Sequence, residues 1–552
     1  MTTAEMSRRV RQVSTPVERA ADYLLGVVSP RQALIRQHRR LMQRDGDYRD
    51  NWLGAMAARG YKSAASPTNG TPWLDSGERS ADAELLLDLP TLRARSRALE
   101  RNDALASGLI ATRRRQVIGS GMRPQGTHAV RAWNTRLEGV WSQAADALFP
   151  AEGHLSFSQA QRVIYTRLLV DGEVFVKRTK TAPDEPVWFE LVEADRVGTP
   201  LDSSPADPQG RIVDGIEKDR FGRVVAYHVS RTHPGDLVYA KTTGRPPEPV
   251  PLSRSHYVRV PADEIRHMRY RVTRPGQTRG LPLLHAVMQD FHDLDLLTLA
   301  LLKRTQIAAC LALFITSEQA VSDLFEVTAE DFGYQLDQQL EPGMLYKLYP
   351  GESVQSVIPG FQVPDVEPVQ LGISKRIGAA TEMSPEAVLH DWGRTNYSSA
   401  RTVQIEDNRA YDTDRSDMAE LLTWIWCETL LDAQMRGVFG LAGFDADDLR
   451  RVRWVGDARP WVDPASEAQA TQIRLALGLT TLRDEAAAQG KDWEELLQQQ
   501  ADEAELREEL GLPALSLPGA PAPGQPPVPQ KSAPKGVLAG SQADDDEDEG
   551  DE

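Results

Sequence analysis

The stretch LPLLHAVMQDFHDLDLLTLALLKRTQIAACLALFI, residues 281–315, is the most apolar part of the chain. Apolar residues recur in it at the i, i+3, i+4 spacing of one helical face: Leu281, Leu284, Met288, Phe291 and Leu294. This spacing predicts a helix with one apolar side. Charged residues interrupt the stretch, namely Asp290, Asp293, Asp295, Lys303 and Arg304. A plain membrane-spanning helix is therefore not expected here.

Upstream of this helix, residues 170–270 are typical of a β-rich unit. Short runs rich in β-branched and aromatic residues predict strands at 172–178, 188–192 and 211–216. The sequence DRFGR, residues 219–223, separates two further apolar runs and predicts the turn of a hairpin between 215–217 and 224–229.

Helical patterns precede and follow this unit. Before it, helices are predicted over 85–118, with an N-cap at Asn102 or Asp103 dividing the run, and over 129–148 and 156–169. After residue 315 the patterns predict a strand at 344–348 and helices over 367–383, 399–439 and 466–510. A break at Ser384-Pro385 and through residues 390–398 separates two of these helices, and Asn396 and Ser398 are suited to cap the second.

The bulk composition limits the class of protein. The chain has 552 residues with 41% apolar and 26% charged content, which suits two to four folded units. Its net charge is −17, opposite to the basic balance of proteins that grip duplex DNA. The two cysteines, Cys310 and Cys427, are too few for a disulfide framework, and the first twenty residues lack the apolar segment of a signal peptide.

The two ends differ in charge. Residues 1–45 form a basic arm that is either solvated or in contact with DNA or a neighbouring subunit. Residues 513–552 are rich in proline and alanine and end in ADDDEDEGDE, a composition that predicts disorder.

No catalytic motif is present in the sequence. The phosphate-binding pattern GxxxxGK[ST] is absent, as are HExxH, GxSxG and GxGxxG. The acidic pairs Glu193/Asp195 and Asp263/Glu264 fit solvated charge better than acid–base catalysis, and His285 and His292 have no third ligand nearby. We expect no catalytic residue, no cofactor and no metal site, and hence no enzyme.

Specific strings carry more information than composition. DLPTLRARSRALERNDALASGLIATRRRQVIGSGMRPQG at 88–126 resembles the N-terminal signature of portal proteins of lambda-family tailed phages. Further strings resemble the same family in order along the chain: DGEVFVKR (171–178), LVEADRV (191–197), IVDGIEKDRFGRVVAYHV (212–229), VPADEIRHMRYRVTRPGQTRGLPLLHAVMQ (260–289), NYSSARTVQIEDNRAY (396–411) and LGLTTLRDEAAAQGKDWEELLQQQADE (477–503). They cover residues 45–505, apart from little recognisable sequence at 316–365.

The resemblance implies an α+β portal fold with a β-rich wing, a two-helix stem, a clip and a helical crown. It divides the chain into an N-terminal arm (1–45), wing (46–279), first stem helix (280–312), clip (313–364), second stem helix (365–385), channel loop (386–398), long wing helix (399–445), crown (446–512) and acidic tail (513–552).

The implied function is a ring, typically a dodecamer, at one capsid vertex, through which DNA is packaged and ejected. The implied partners are further copies of the chain, the terminase large subunit, the major capsid protein, a head–tail adaptor and double-stranded DNA that passes without sequence readout. The implied location is the virion, after assembly in the host cytoplasm, and no membrane is involved. Two alternatives stay open at this point: a head-associated hydrolase or nuclease with an unrecognised site, and a head–tail adaptor ring.

The resemblance also suggests which residues approach DNA. The channel loop would present Asp391, Trp392, Gly393, Arg394, Thr395, Asn396 and Tyr397. Arg394 above all, followed by Lys375 and Arg376 as candidate channel cations, would make brief phosphate contacts without reading bases. For Trp392, ordinary packing in the core is the competing interpretation.

Overall fold

The structure, a computed structural model, describes residues 79–513 except for 152, 154, 201–202, 236, 239–247, 250–255, 310–312, 318–351, 357–365, 394–395, 439–442 and 460–462. The basic arm, the predicted strand at 344–348, the loop residues Arg394 and Thr395, and the acidic tail from residue 514 lie outside the described residues.

Four helices form the first part of the wing: α1 (Ala81–Asn102), α2 (Ala104–Val117), α3 (Arg131–Ala144) and α4 (Phe157–Asp171). The predicted division of the first helical run is confirmed, because the Asp103 side chain accepts a hydrogen bond from Ala106 N and so caps α2. Ser156 and Gln159 form a reciprocal capping box that starts α4.

The β-rich unit follows α4, as predicted. Its strands are β2 (Glu173–Thr179), β3 (Trp188–Val192), β4 (Arg211–Val213), β5 (Ile216–Lys218), β6 (Val224–Ser230), β7 (Leu237–Val238), β8 (Glu248–Pro249), β9 (Tyr257–Pro261) and β10 (Ile265–Arg269). One sheet has the order β10-β2-β3, and another has the order β4-β5-β6-β9. The hairpin predicted around residues 219–223 is confirmed as β5–β6, whereas the single strand predicted over 211–216 is two strands joined at Asp214 and Gly215. The reason is a reversal of the chain there, where both residues have positive φ.

The apolar stretch at 281–315 forms a shorter helix than expected, α5 (Met288–Ala309), preceded by a 3-10 turn at Leu283–Ala286. The residues before this turn are held against the wing instead: a Cβ at Gly280 would lie 1.9 Å from the carbonyl oxygen of Gly172. After α5 come β11 (Leu313–Ser317) and β12 (Glu352–Ser356), which pair antiparallel, and then α6 (Glu367–Thr381).

The break after α6 is shorter than predicted. Residues expected in the loop form the short helix α7 (Pro385–Leu389), and the long helix α8 (Tyr397–Met435) begins two residues early, with Asn396 as its N-cap. The remaining elements are α9 (Ala446–Leu449), β13 (Val452–Val455), α10 (Pro464–Ala476), α11 (Leu482–Ala488) and α12 (Trp493–Glu509).

Sequence reasoning missed several strand pairings, among them one between distant parts of the chain. β1 (Arg123–Gly126) pairs antiparallel with β13, so residues assigned to the crown add a strand to the wing. The sequence RPQG reads as a turn because it contains proline and glycine, and only pairing with a distant segment makes it a strand.

The main core lies where α8 crosses α2 and α3. Trp426 is fully buried and lies 5.1 Å from Trp141, measured between ring centroids, and its indole nitrogen donates to the carbonyl of Leu449. A second, smaller core around Phe175 and Ile216 joins the two larger sheets.

Candidate subunit and channel surface

The wing fixes the position from which α5 leaves it. The Glu173 carboxylate is fully buried at the start of β2 and is paired with Arg93, Arg279 and His267. Arg279 Nε donates to Glu173 Oε1 at 2.7 Å, and the backbone N–H of Gly280 donates to Oε2 at 3.2 Å. The chain just before α5 is thus held by a saturated ionic cluster.

Opposing effects set the charge in this cluster. Burial works against the ionised form of Glu173, but Arg279 and Arg93 outweigh it and hold the pKa of this carboxyl well below its usual range. Burial lowers the pKa of His267 to about 4, although Glu173 acts in the other direction. A charged carboxylate with neutral imidazole follows near neutral pH.

The prediction of one apolar side for helix α5 is wrong: the helix has two, and within the described residues only one of them is partly covered. Phe291 in its first turn is fully buried, but none of the side chains at positions 292–306 is buried. Leu294, Leu297 and Leu301 are half-buried on one side, and α6 packs against α5. On the opposite side, exposure is 49% for Leu296, 44% for Leu299 and 55% for Leu302. A helix that is apolar on both sides is typical of one buried on both sides.

Helix α6 returns to the wing beside α5. Arg376 Nη2 lies 2.9 Å from Asp290 Oδ1, an ion pair between the last turns of α6 and the first turn of α5. Val369 near the other end of α6 is 54% exposed, whereas Ile377 is fully buried. The two helices therefore form an antiparallel pair that is anchored in the wing at one end. Of the two candidate channel cations, Lys375 is exposed and Arg376 carries this ion pair.

The described residues of the predicted channel loop follow α7 directly. Asp391, Trp392 and Gly393 are all exposed among the described residues, and the exposure of the Trp392 side chain is 45%. Asp391 Oδ1 accepts from the backbone N–H of Gly393 at 3.0 Å, and Asn396 Oδ1 accepts from that of Ser399 at 2.9 Å. These contacts shape the two ends of the segment.

The acidic pair Glu193/Asp195 is part of the ionic cluster. Asp195 pairs with Arg93 and Arg97, and both acidic residues lie within 3.5 Å of His233. Burial opposes the charge of Asp195, but Arg97 and Arg93 outweigh it and lower the pKa of this carboxyl. These contacts join α1 to the segment after β3.

The described residues also bear on metal binding and membrane insertion. No three His, Cys, Asp or Glu side chains come together for a metal ion within the described parts of the chain. None of the described helices has the length and apolar character to span a bilayer. Cys427 is a half-buried free thiol, and burial raises its pKa to about 11.

A cleft of about 1350 Å³ runs along α8 and is closed on the other side by β13, α10 and α11. Arginines and carboxylates alternate on its walls and are partly paired across it, as Arg459 is with Asp412 and Arg453 with Asp484. This balance of charge gives the cleft no preference for an anionic or a cationic ligand.

Sequence reasoning missed the residues that hold the base of the loop. Thr112 and Arg113 on α2 contact His390 and Thr381, and Asp407 on α8 contacts Ser384. These residues lie in helices whose sequence pattern indicates only which side is apolar. The residues of each pair are 23 to 278 positions apart, so no local pattern connects them. The Ser384-Pro385 break was the one local signal of this region.

The sequence matches a known protein family. The family model described as phage portal protein, lambda family, matches residues 71–415. The chain belongs to the lambda family of phage portal proteins and is a portal protein of a tailed phage.

Relatives with the same description cover most of the chain. It is 24% identical over 478 residues to the probable portal protein of Halomonas phage phiHAP-1, covering 82% of this chain and 88% of the relative. It is 24% identical over 505 residues to portal protein B of Escherichia phage lambda, with 82% and 91% covered. The portal protein of Escherichia phage N15 is 24% identical over 486 residues, with 78% and 87% covered.

Solved structures similar to this chain come from gene transfer agent particles. One is the neck of the empty particle computed with C6 symmetry, at 13% identity and TM-score 0.43, covering 76% of this chain and 94% of the other. Another is the neck of the native particle computed with C12 symmetry, at 13% identity and TM-score 0.40, with 72% and 93% covered.

Proposed function

We propose that this portal protein forms a closed ring of about twelve subunits whose central channel carries DNA into and out of the capsid. The uncovered apolar side of α5 is the observation that carries the proposal. Leu296, Leu299 and Leu302 form a stripe that the rest of the described subunit leaves in water. A second copy of the chain covers this stripe in the ring.

The energy of such a contact is adequate for assembly. Burying the exposed half of three leucines contributes roughly 1 kcal/mol each, on the scale of 1.5–3 kcal/mol for a whole side chain. A ring repeats this contact at every subunit, and a closed ring loses no subunit without breaking two interfaces. The interface is heterologous, so the α5 stripe meets a different surface of the neighbour.

The net charge of the chain suits a passage for DNA. Twelve subunits, each with a net charge of −17, carry a total charge on the order of −200. The electric field of this charge repels duplex DNA and keeps it from adhering to the ring. Weak contacts to phosphate would come from Arg394 in the loop and from Lys375, whose side chain is exposed. Arg376 contributes less, because Asp290 already neutralises it.

The domain assignment follows from the same elements. We assign α1–α4 and β1–β10 to the wing, α5 and α6 to the stem, and β11 and β12 to the clip. The segment around Asp391–Gly393 is the channel loop, and α10–α12 form the crown. The partners are the terminase large subunit, the major capsid protein and a head–tail adaptor, within the virion and, during assembly, in the host cytoplasm. The subunit itself is structural and performs no catalysis.

Imaging the purified chain tests the proposal. Negative-stain micrographs are expected to contain rings with a central hole, and light scattering is expected to give the mass of about twelve subunits. The variant Leu299→Asp places a charge in the stripe, so it is expected to remain folded but monomeric.

Thr298→Asp is the matched control, since it adds the same charge to the adjacent residue, where Thr298 Oγ1 bonds only the carbonyl of Leu294. It is expected to form rings. Rings from Leu299→Asp at wild-type yield would exclude the stripe as the subunit interface, and a monomeric wild-type chain at all concentrations would exclude the ring.

A further inference from the structure

Residues 381–390, here called the connector, join the end of α6 to the exposed loop. The connector includes α7 and contributes the buried side chains of Met383 and Val388 to the core of the wing. The sequence predicts a flexible link over this region, but its contacts fix it at three points.

Two consecutive residues of α2 hold the two ends of the connector. Thr112 Oγ1 lies 3.0 Å from His390 Nε2 in a hydrogen bond. The Arg113 side chain, which is fully buried, donates to the carbonyl oxygen of Thr381 and, through Nε, to Asp414 Oδ2 at 2.8 Å. Because α2 is rigid, these contacts fix the separation of the two ends.

The middle of the connector is held by α8. Asp407, which is 9% exposed, accepts from Ser384 N at 2.8 Å and from Ser384 Oγ at 2.7 Å. Ser384 Oγ in turn accepts from the backbone N–H of Ala387 and caps α7. The start of α7 is therefore tied to the side of the long helix.

Backbone conformation gives independent support. Glu382 and His390 flank α7, and each has φ of 53°, a left-handed conformation that non-glycine residues rarely adopt. Each also bonds the wing through its side chain: Glu382 Oε1 lies 2.8 Å from Arg271 Nη1, and His390 contacts Thr112. Such strain persists where surrounding contacts over-determine the conformation.

We infer that Thr112, Arg113 and Asp407 are positioning residues that clamp the connector to the wing, so that the channel loop begins only after His390. The role of this clamp in DNA transport rests on the proposed function. When DNA exerts a force on the loop, the hydrogen bond at His390 transmits that force to α2 and the wing. The end of the stem helix α6 is then not bent.

Amide hydrogen exchange of the purified full-length protein tests the clamp directly. The N–H groups of Val388 and Asp391 bond Ser384 O and Glu386 O within the connector. In Thr112→Val, which keeps the shape of the side chain but removes its hydroxyl, exchange over residues 384–391 is expected to rise about tenfold. Thr112→Ser restores the hydroxyl and is expected to restore protection.

Two further variants complete the experiment. Asp407→Asn removes the charge and one of the two acceptor oxygens to which Ser384 donates, and is expected to raise exchange in the same segment. Thr413→Val removes the exposed hydroxyl that bonds only Arg409 O, and is expected to leave the segment unchanged. Wild-type protection in both Thr112→Val and Asp407→Asn would overturn the clamp.

Head filling separates positioning from mere stability. Thr112→Val rings are expected to assemble at wild-type yield but to package or retain DNA less efficiently, and Thr112→Ser rings to package normally. Faster exchange with normal packaging and retention would overturn the positioning role. Ring imaging reports on the proposed function separately, since exchange in the connector is measured whether or not rings form.

Discussion

The base of the wing and the stem helix α5 use opposite chemistry, although they are adjacent in the chain. Around Glu173 the wing buries an acidic residue with two arginines and a histidine, and each has its partner in the same subunit. Further along the chain, α5 leaves Leu296, Leu299 and Leu302 in water. The first region buries charge that is costly to bury, and the second exposes apolar surface that is costly to expose.

The difference indicates which parts of the fold are complete in one subunit. A buried ionic cluster is stable only if every member is paired, so the wing must fold before assembly. An exposed leucine stripe is tolerated by the subunit and becomes favourable only against a partner. We therefore expect substitutions in the wing to alter folding and substitutions in the stem to alter association.

The largest effect is expected from Glu173→Gln. It removes the buried counter-charge that Arg93 and Arg279 share, leaves them with the partly exposed carboxylates of Asp195 and Asp214, and is expected to lower the free energy of unfolding by about 3–5 kcal/mol. Chemical denaturation measures this change. Glu406→Gln, which removes the exposed pair with Arg409, is the control and is expected to cost less than about 1 kcal/mol. Equal losses in the two variants would contradict the contrast between buried and exposed pairs.

Replacing one leucine by alanine in each region tests the same contrast. Leu109→Ala in the fully buried part of α2 is expected to cost about 2–5 kcal/mol of subunit stability. Leu302→Ala on α5, where the side chain is 55% exposed, is expected to cost under about 0.5 kcal/mol in the isolated subunit but to weaken rings. Thermal melting of monomers and the ring fraction at low concentration are the two measurements. A large drop in the melting temperature of monomeric Leu302→Ala would show that the stripe is packed within the subunit.

A smaller effect is expected from pH. Because the pKa of His267 falls from 6.5 in the unfolded chain to about 4 in the fold, the unfolded chain binds a proton first on acidification. The stability of the wing is thus expected to decrease as the pH falls from about 6.5 towards 4, before Glu173 itself is protonated. Unfolding curves at several pH values measure the slope. His267→Gln keeps a donor for Glu173 and is expected to flatten the slope; an unchanged slope would assign it to other groups.

The smallest effect is expected from deleting residues 513–552. This proline-rich acidic segment has few apolar residues with which to pack, so ring assembly at physiological salt is expected to be unchanged. Electron micrographs of the truncated protein provide the measurement. Loss of rings would show that the tail contributes to the interface.

The sequence predicted correctly those features that depend on residues close together in the chain. The Asp103 cap, the β5–β6 hairpin and the Asn396 cap depend on residues within a few positions of one another, and the structure confirms them. The β1–β13 pair was missed because its two strands are more than 300 positions apart. α7 was taken for loop because five residues are too few to carry a helical period.

The sequence by itself determined that the chain is an α+β portal protein, because ordered strings along most of its length match the family. It also predicted that the stretch containing α5 is a helix with one apolar side. The tertiary structure showed a second apolar side at Leu296, Leu299 and Leu302 and decided that this side stays uncovered, since coverage depends on where α6 packs. It likewise decided that residues 381–390 are held by Thr112, Arg113 and Asp407, because hydrogen bonds between distant segments leave no periodic trace in a sequence.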